Sequence, residues 1–202
     1  MKRKYVFLGE INSINFEIIC KSFNNLKNKI EYILIGNKVN FNSYLKQNNI
    51  KIYLNEIYDP INFMNYNKNA FNFFNVNDFN ISKTKNLLNQ IKIANRLSNI
   101  TSNDLITMPI NKYIFKKEMK FNGLTEYFGK INNKKTFMLM RGENFSVVPI
   151  TTHINPKYIY KVFDKNFKDF INELIFILKK NNFKKIKFLC YSPHCGENGT
   201  IG

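Results

Sequence analysis

Two histidines are the residues of this chain best suited to chemistry, and its 202 residues contain no others. His153 follows the apolar run at 145–150, and His194 follows the apolar run at 186–191. Parallel α/β sheets bind their ligands at the carboxyl ends of the strands, which is where both histidines would stand. Neutral imidazole is a good ligand for divalent cations, but a finished metal site normally needs three or four protein ligands. A lone histidine is more often structural, yet two in such turns favour a metal-dependent active site whose other ligands lie outside this chain.

The first 36 residues indicate the type of sheet that would carry these histidines. An apolar strand pattern at 5–9 is followed by a helical pattern at 16–26 and by a second strand at 31–36, which ends in glycine. Strand, helix and strand within so short a stretch are typical of a βαβ unit. The sequence therefore predicts an α/β fold with a mostly parallel sheet.

Further elements follow along the chain. Ser82 is positioned to cap a helix that runs through Ile100, and Asp164 is positioned to cap an amphipathic helix at 167–180 whose last turn is rich in lysine. Residues 55–80 show no clear period, and we interpret them as an irregular loop. The remaining expected elements are a buried strand at 104–108, a turn and helix start at 109–112, a short helix at 125–128, a hairpin of strands 135–140 and 144–150, and a last strand at 186–191.

The charge of the chain is high, but it does not favour a nucleic-acid partner. The formal net charge is +17, and only three of the 31 basic residues are arginine. Arginine is preferred for two-pronged phosphate and guanine recognition, and the lysines are scattered over the chain. The Lys, Asn, Ile, Phe and Tyr bias is what AT-rich coding sequence produces. A basic nucleic-acid-binding protein stays as a less favoured alternative, with steep salt dependence as its signature.

Membrane segments and disulfides are not expected either. No stretch has the roughly 18 apolar residues that cross a bilayer, and the apolar part of the N-terminus is too short for a signal peptide. A cytoplasmic location is the default expectation. Cys20, Cys190 and Cys195 lack metal-site spacing, so free thiols are favoured over a redox or ligand role.

Four motifs in order make the chain resemble a known family. Residues 105–112 (Leu-Ile-Thr-Met-Pro-Ile-Asn-Lys) look like the V-T-A-P-I-N-K segment of the 4-hydroxythreonine-4-phosphate dehydrogenase family of vitamin B6 (pyridoxine) biosynthesis, the PdxA type. Residues 123–126 fall where that family has G-H-T-E, and 151–154 match its T-T-H-I/L. Residues 192–199 match N-P-H-A-G-E-x-G. The first strand and turn stand where the family has G-D/E-P-A-G-I-G-P-E-I.

The resemblance implies a fold and an activity. The fold would be like that of isocitrate and isopropylmalate dehydrogenases, with a first α/β domain at about 1–120 and the start of a second at 121–202. The activity would be NAD(P)-linked oxidation and decarboxylation of 4-phosphooxy-threonine to 3-amino-2-oxopropyl phosphate by a cytoplasmic homodimer. His153 and His194 would be two of the three histidines that hold a divalent metal (Zn, Mg or Co). Thr125 would contact the small phosphorylated substrate.

Departures from the family pattern leave two interpretations open. Leu124 stands in place of a substrate-binding histidine, and the glycine-rich first turn is altered, with Asn15 at one glycine position. The third metal histidine, the Lys/Asn/Arg substrate set and the cofactor-binding segment would be expected beyond Gly202. The chain would thus correspond to an N-terminal portion, truncated at the C-terminus. It is either a divergent dehydrogenase of this family or an inactive remnant of one.

Overall fold

The protein is described by a computed structural model that covers residues 3–11, 13–115, 123–151 and 154–189. The chain divides into two compact units on either side of the junction between Lys134 and Lys135. That these units correspond to the two domains implied by the resemblance stays a prediction.

The first unit is built on a five-stranded parallel sheet. Its strands are β1 (Arg3–Phe7), β2 (Glu31–Gly36), β3 (Leu54–Glu56), β4 (Phe71–Asn75) and β5 (Asp104–Thr107), in the spatial order β3-β4-β2-β1-β5. Its helices are α1 (Asn15–Leu26), α2 (Lys38–Gln47), α3 (Lys83–Thr101) and α4 (Leu124–Asn132). The predicted α/β class, the first βαβ unit and the helix after Ser82 are confirmed. Helix α2, whose buried residues are Phe41 and Leu45, was not predicted.

Alternating side chains of the central strands build two apolar layers. Tyr5 and Phe7 of β1 belong to a cluster that includes Leu87, Ile91 and Ala94 of α3. Val6 belongs to a second cluster, which α1 and α2 supply with Phe16, Ile19, Phe23, Phe41 and Leu45. Because successive residues of a strand point to opposite faces, β1 and β2 are buried on both sides. Such strands read as continuous apolar runs, which is why the sequence identified both of them.

The helices begin where short polar side chains accept backbone hydrogen bonds. The Ser82 side chain accepts from the Lys85 N–H at 3.2 Å, and the Asn37 side chain accepts from the Asn40 N–H at 3.1 Å. Each bond satisfies one of the unpaired donors of a helix N-terminus. Ser82 therefore is the N-cap that the sequence predicted.

The expectation of an irregular loop at 55–80 was wrong for 55–56 and 71–75, which belong to β3 and β4, and β4 lies inside the sheet between β3 and β2. Its Asn72 is buried, and asparagine is unfavourable in strands. The side chain is satisfied locally: its amide donates to the carbonyls of Asn67 and Ala70, and its oxygen accepts from the Asn67 N–H and from Asn55. Tertiary hydrogen bonds thus outweigh the local propensity.

Strand β5 was predicted in the right place, but the expected burial was wrong. Among the described residues β5 pairs with β1 alone, so it is an edge strand, and Ile106 is 38% exposed. After the following turn, residues Lys112–Phe115 form a 3₁₀ helix where a helix was expected to start, and the chain beyond it up to residue 122 lies outside the described residues. Phe115 anchors that turn in the core.

The second unit contains the predicted hairpin and the predicted long helix. Strands β6 (Met140–Arg141) and β7 (Ser146–Val147) pair antiparallel but are shorter than expected, and α5 spans Phe167–Lys180. Within the unit, Lys135 forms an ion pair with Glu173 of α5 at 2.9 Å.

Two details of the second unit correct the sequence analysis. The N-cap of α5 is Asn166, with no side-chain cap. Asp164 instead accepts from the Asn166 N–H through its carboxylate, at 2.8 Å, and so precedes the helix. Residues 186–189 form no strand, and the rest of that predicted strand lies outside the described residues.

In the described part of the chain, none of the helices has the length and apolar character that crossing a membrane requires.

Candidate functional site

The carboxyl ends of β1 and β5 bring two turns together. The turn at 8–10 follows β1, and the turn at 109–112 follows β5; the two strands are parallel neighbours. Gly9 has a φ of +72°, a conformation that glycine adopts without the strain a side chain would bring. A Cβ there would lie 2.8 Å from the Asn15 side-chain nitrogen and 2.9 Å from the Pro109 carbonyl oxygen. The close approach of the two turns therefore requires glycine at this position.

Asn15 joins these turns from the start of α1. It is fully buried, and its Nδ2 donates to the Leu8 carbonyl at 2.9 Å and to the Pro109 carbonyl at 2.8 Å. A second link connects the same turns, because the Asn111 N–H donates to the Glu10 carboxylate. In the sequence, Asn15 departs from a glycine pattern, and no role was predicted for it. No local signal could have found this role, since the acceptor on Pro109 lies 94 residues away.

Thr125, the expected substrate contact, is in the first turn of α4. Gly123 is the N-cap of that helix and makes no side-chain cap hydrogen bond. Thr125 is half-buried and lines a cavity of about 660 Å³ together with Thr107, Leu105 and Asp104 of β5. At the amino end of β5, Asp104 pairs with Lys4 at 2.7 Å.

Lys112 brings a positive charge toward the same helix start. Its Nζ lies 3.8 Å from the position that a Cβ on Gly123 would take. The Glu126 carboxylate lies 2.7 Å from that same Cβ position. Within the described residues, Lys112 forms no ion pair within 4.0 Å. Lys112 belongs to the motif at 105–112, but no function was predicted for it. Its proximity to Gly123 is a property of the tertiary structure.

Leu124 packs against the apolar cluster between α3 and the sheet. Its side chain therefore has a structural role, and it supplies neither a hydrogen bond nor a titrating group beside Thr125. The environment explains how leucine is accommodated where the resemblance has histidine.

The two candidate metal ligands, His153 and His194, lie outside the described residues, and so do Cys190 and Cys195. Imidazole suits a divalent cation by donor type, but two ligands are fewer than such a site needs. Across the described ranges, no group of three His, Cys, Asp or Glu residues could complete a metal site. Thr151, the first residue of the 151–154 motif, lines an apolar cavity of about 1050 Å³ within the second unit.

Cys20 is the cysteine that the structure describes, and it is a free thiol on α1. Burial raises its pKa from 9.0 to about 11. The thiolate is the reactive form of cysteine. Because the Cys20 thiol stays protonated at neutral pH, it fits the expected free thiol and not a redox role.

Solved structures establish the class of fold. A 4-hydroxythreonine-4-phosphate dehydrogenase from Klebsiella pneumoniae matches 100% of this chain and 67% of its own, with a TM-score of 0.83 at 20% identity. One from Burkholderia phymatum matches 100% of this chain and 66% of its own, with a TM-score of 0.79 at 17% identity. At these identities the likeness shows the fold, which is the mostly parallel, dehydrogenase-like α/β fold that the sequence predicted.

Sequence comparisons establish the family. A 4-hydroxythreonine-4-phosphate dehydrogenase of Campylobacter fetus subsp. fetus (strain 82-40) is 28% identical over 208 residues, which cover 98% of this chain and 62% of the relative. One from Hydrogenobaculum sp. (strain Y04AAS1) is 38% identical over 110 residues, covering 50% of this chain and 34% of the relative. The family model described as "Pyridoxal phosphate biosynthetic protein PdxA" matches residues 15–202. The chain belongs to this family, and it spans 62% of the length of the Campylobacter fetus relative.

Proposed function

We propose that this chain acts in pyridoxal phosphate biosynthesis as a 4-hydroxythreonine-4-phosphate dehydrogenase. The reaction is the NAD-dependent oxidation of 4-phosphooxy-threonine, followed by loss of carbon dioxide to give 3-amino-2-oxopropyl phosphate. The observation that carries the proposal is the family match over residues 15–202, which includes all four motifs in order. A homodimer and a cytoplasmic location belong to the same proposal, and both rest on the resemblance.

In this proposal Thr125 binds the phosphorylated substrate. Its hydroxyl can donate to and accept from a substrate oxygen, and it stands in the uncapped first turn of α4. Backbone N–H groups at a helix start favour anions. Thr125 would therefore orient the substrate in the cavity that it lines together with Thr107 of β5.

His153 and His194 would be metal ligands in this proposal. When bound, a divalent cation supplies Lewis acidity that polarises the substrate's hydroxyl and the carbonyl that replaces it. The two imidazoles match that cation in donor type but not in number. We therefore expect this chain to hold the metal weakly by itself.

A second candidate is an inactive member of the family that keeps the fold without turnover. Leu124 favours it, because this half-buried side chain packs against the apolar cluster where the resemblance has a substrate-binding histidine. Such a chain would still fold and could still bind the phosphorylated substrate through Thr125.

The test combines a turnover assay with a binding assay. The chain is mixed with 4-phosphooxy-threonine, NAD⁺ and Zn²⁺, Mg²⁺ or Co²⁺, and NADH formation is followed by absorbance. Substrate binding is measured in parallel by calorimetry. Removing one hydrogen bond to a charged ligand costs about 1.5–3 kcal/mol, so we expect Thr125→Ala to weaken binding by about tenfold or more.

Thr136→Ala is the matched control, since Thr136 is an exposed threonine of the second unit. Turnover that depends on Thr125 supports the dehydrogenase. Binding that depends on Thr125 without turnover supports the inactive family member. Equal behaviour of the two variants would contradict the role given to Thr125.

A further inference from the structure

The buried amide of Asn15 occupies an unusual position, because it bridges two strand ends that are distant in sequence. Both hydrogen atoms of its Nδ2 are used, one on the Leu8 carbonyl at 2.9 Å and one on the Pro109 carbonyl at 2.8 Å. The residue is 0% exposed. Buried backbone carbonyls just beyond the end of a strand need hydrogen-bond donors. Here one side chain donates to both carbonyls.

The orientation of this amide follows from its partners. Exchanging its oxygen and nitrogen would turn the oxygen toward two carbonyl oxygens, so the network fixes the assignment. The Oδ1 atom is buried and has no hydrogen-bond partner among the described residues. A buried acceptor without a partner is unfavourable. The Asn15 side chain therefore contributes to this network through its two N–H donors and not through Oδ1.

Asn15 and Gly9 form a tightly packed pair. A Cβ on Gly9 would lie 2.8 Å from the Asn15 nitrogen, which is closer than side-chain carbons approach. The amide fills the space beside Gly9 and bonds to a carbonyl of each turn, at Leu8 and at Pro109. The hydrogen bond from Asn111 to Glu10 joins the same two turns at a second point.

Lys112 is the last residue of the 109–112 turn. The ammonium group of Lys112 lies at the start of α4, 3.8 Å from the position that a Cβ on Gly123 would take. Gly123 is two residues before Thr125 in the sequence. Any displacement of the turn would therefore move a positive charge relative to the proposed substrate contact.

We propose that Asn15 is a positioning residue that fixes the 109–112 turn, and with it Lys112, relative to Thr125. Its functional consequence rests on the proposed function, because Thr125 is a substrate contact only in that proposal. The structural part is independent: Asn15 holds the turn after β5 through the Pro109 carbonyl. Asn15 acts through Pro109 and does not itself touch the substrate.

Hydrogen exchange measured by mass spectrometry tests the structural part on the full chain. The variants are Asn15→Ala and the matched control Asn25→Ala, an exposed asparagine on the same helix. In Asn15→Ala we expect the peptide that covers residues 109–115 to exchange about tenfold faster, with no comparable change in β2. Equal acceleration throughout the first unit, or none in 109–115, would overturn the proposal.

Asn15→Ser is the milder variant in case Asn15→Ala does not fold. A serine hydroxyl can donate to one of the two carbonyls, so we expect faster exchange at 109–115 than in the unaltered chain but slower than in Asn15→Ala. Exchange in Asn15→Ser equal to that of the unaltered chain would overturn the proposal.

The functional part is read from substrate binding. We expect Asn15→Ala to raise the Kd for 4-phosphooxy-threonine several-fold, and Lys112→Ala to raise it by a similar factor. The double variant should then be no worse than Lys112→Ala, because both changes act through one charge. Additive losses would overturn the link from Asn15 to Lys112. If the unaltered chain binds no substrate, the proposed function fails, while the exchange data still decide whether Asn15 holds the turn.

Discussion

The Tyr5 hydroxyl donates a hydrogen bond of 2.7 Å to the carbonyl oxygen of Pro60, and both groups are buried. This bond ties β1 to the segment before β4. The neighbouring strand β2 has a tyrosine with the opposite property: Tyr32 is 4% exposed, and its hydroxyl has no partner among the described residues. Two buried tyrosines on adjacent strands thus differ in whether the hydroxyl is satisfied.

The first prediction concerns these hydroxyls. Tyr5→Phe should lower the free energy of unfolding by about 1–3 kcal/mol, because the buried Pro60 carbonyl loses its donor. Tyr32→Phe should be neutral or stabilising, since it removes a buried polar atom that has no partner. Urea denaturation measures both values. A Tyr32→Phe loss as large as that of Tyr5→Phe would show that the Tyr32 hydroxyl has a partner.

The second prediction concerns the reactivity of Cys20. Burial raises the pKa of its thiol to about 11, and alkylation requires the thiolate. The rate of iodoacetamide labelling at Cys20, resolved by peptide mass spectrometry, should rise about tenfold per pH unit to near pH 11. A plateau near pH 9 would mean that the thiol is not shielded in the folded chain.

A third prediction follows for stability at alkaline pH. Because the folded pKa of Cys20 lies above its ordinary value, the native state keeps a proton that the unfolded chain releases. The contribution is complete below about pH 9 and is lost as the pH rises toward 11. Burial also raises the pKa of Tyr32, which acts in the same direction. Denaturation midpoints between pH 8 and 11 should fall, and less steeply in Cys20→Ala; equal slopes would contradict the assignment.

The fourth prediction concerns Leu124. Leu124→His should cost about 1 kcal/mol of stability, because a half-buried leucine leaves an apolar cluster. If the missing imidazole is what limits the site, the same change should strengthen binding of 4-phosphooxy-threonine by about tenfold. Leu124→Gln is the control for polarity without an imidazole. An equal gain in both variants, or no gain in either, would exclude the histidine position as the limiting feature.

The fifth prediction concerns metal binding. Structural zinc sites with full ligand sets bind with about 10–16 kcal/mol, and this chain offers two histidines. We expect zinc to be lost during gel filtration, as measured by elemental analysis of the eluted protein. One zinc retained per chain, and lost in His153→Ala, would show that the chain completes the site.

Many residues of the candidate site could be predicted from the sequence, because they belong to short motifs. Thr125 was assigned from residues 123–126, and the structure places it at the start of a helix, as the pattern indicated. The roles given to Thr125, His153 and His194 stay predictions. The cap of α3 was equally accessible, because a serine before an apolar period is a local signal.

Local signals failed where long-range contacts decide the structure. Strand β4 contains two asparagines and no alternation, and it is a strand because it pairs with β2 and β3, while the Asn72 side chain bonds to Asn67, Ala70 and Asn55. Strand β5 was expected to be buried, but among the described residues it lies at the sheet edge, and strand order is not encoded in any one segment. Residues 186–189 have the composition of a strand, but they form no strand because they do not pair with a neighbouring one.

The sequence by itself determined the α/β class, the first βαβ unit, the long helices and the order of the family motifs. Each depends on periodicity, capping or residue identity within a short window. The tertiary structure decided which strand stands where, which tyrosine hydroxyl is satisfied and that Asn15 meets Pro109 across 94 residues. Those outcomes depend on pairs of groups that come together only when the chain folds, because a buried donor or acceptor is stabilised by a partner that can lie far away in sequence.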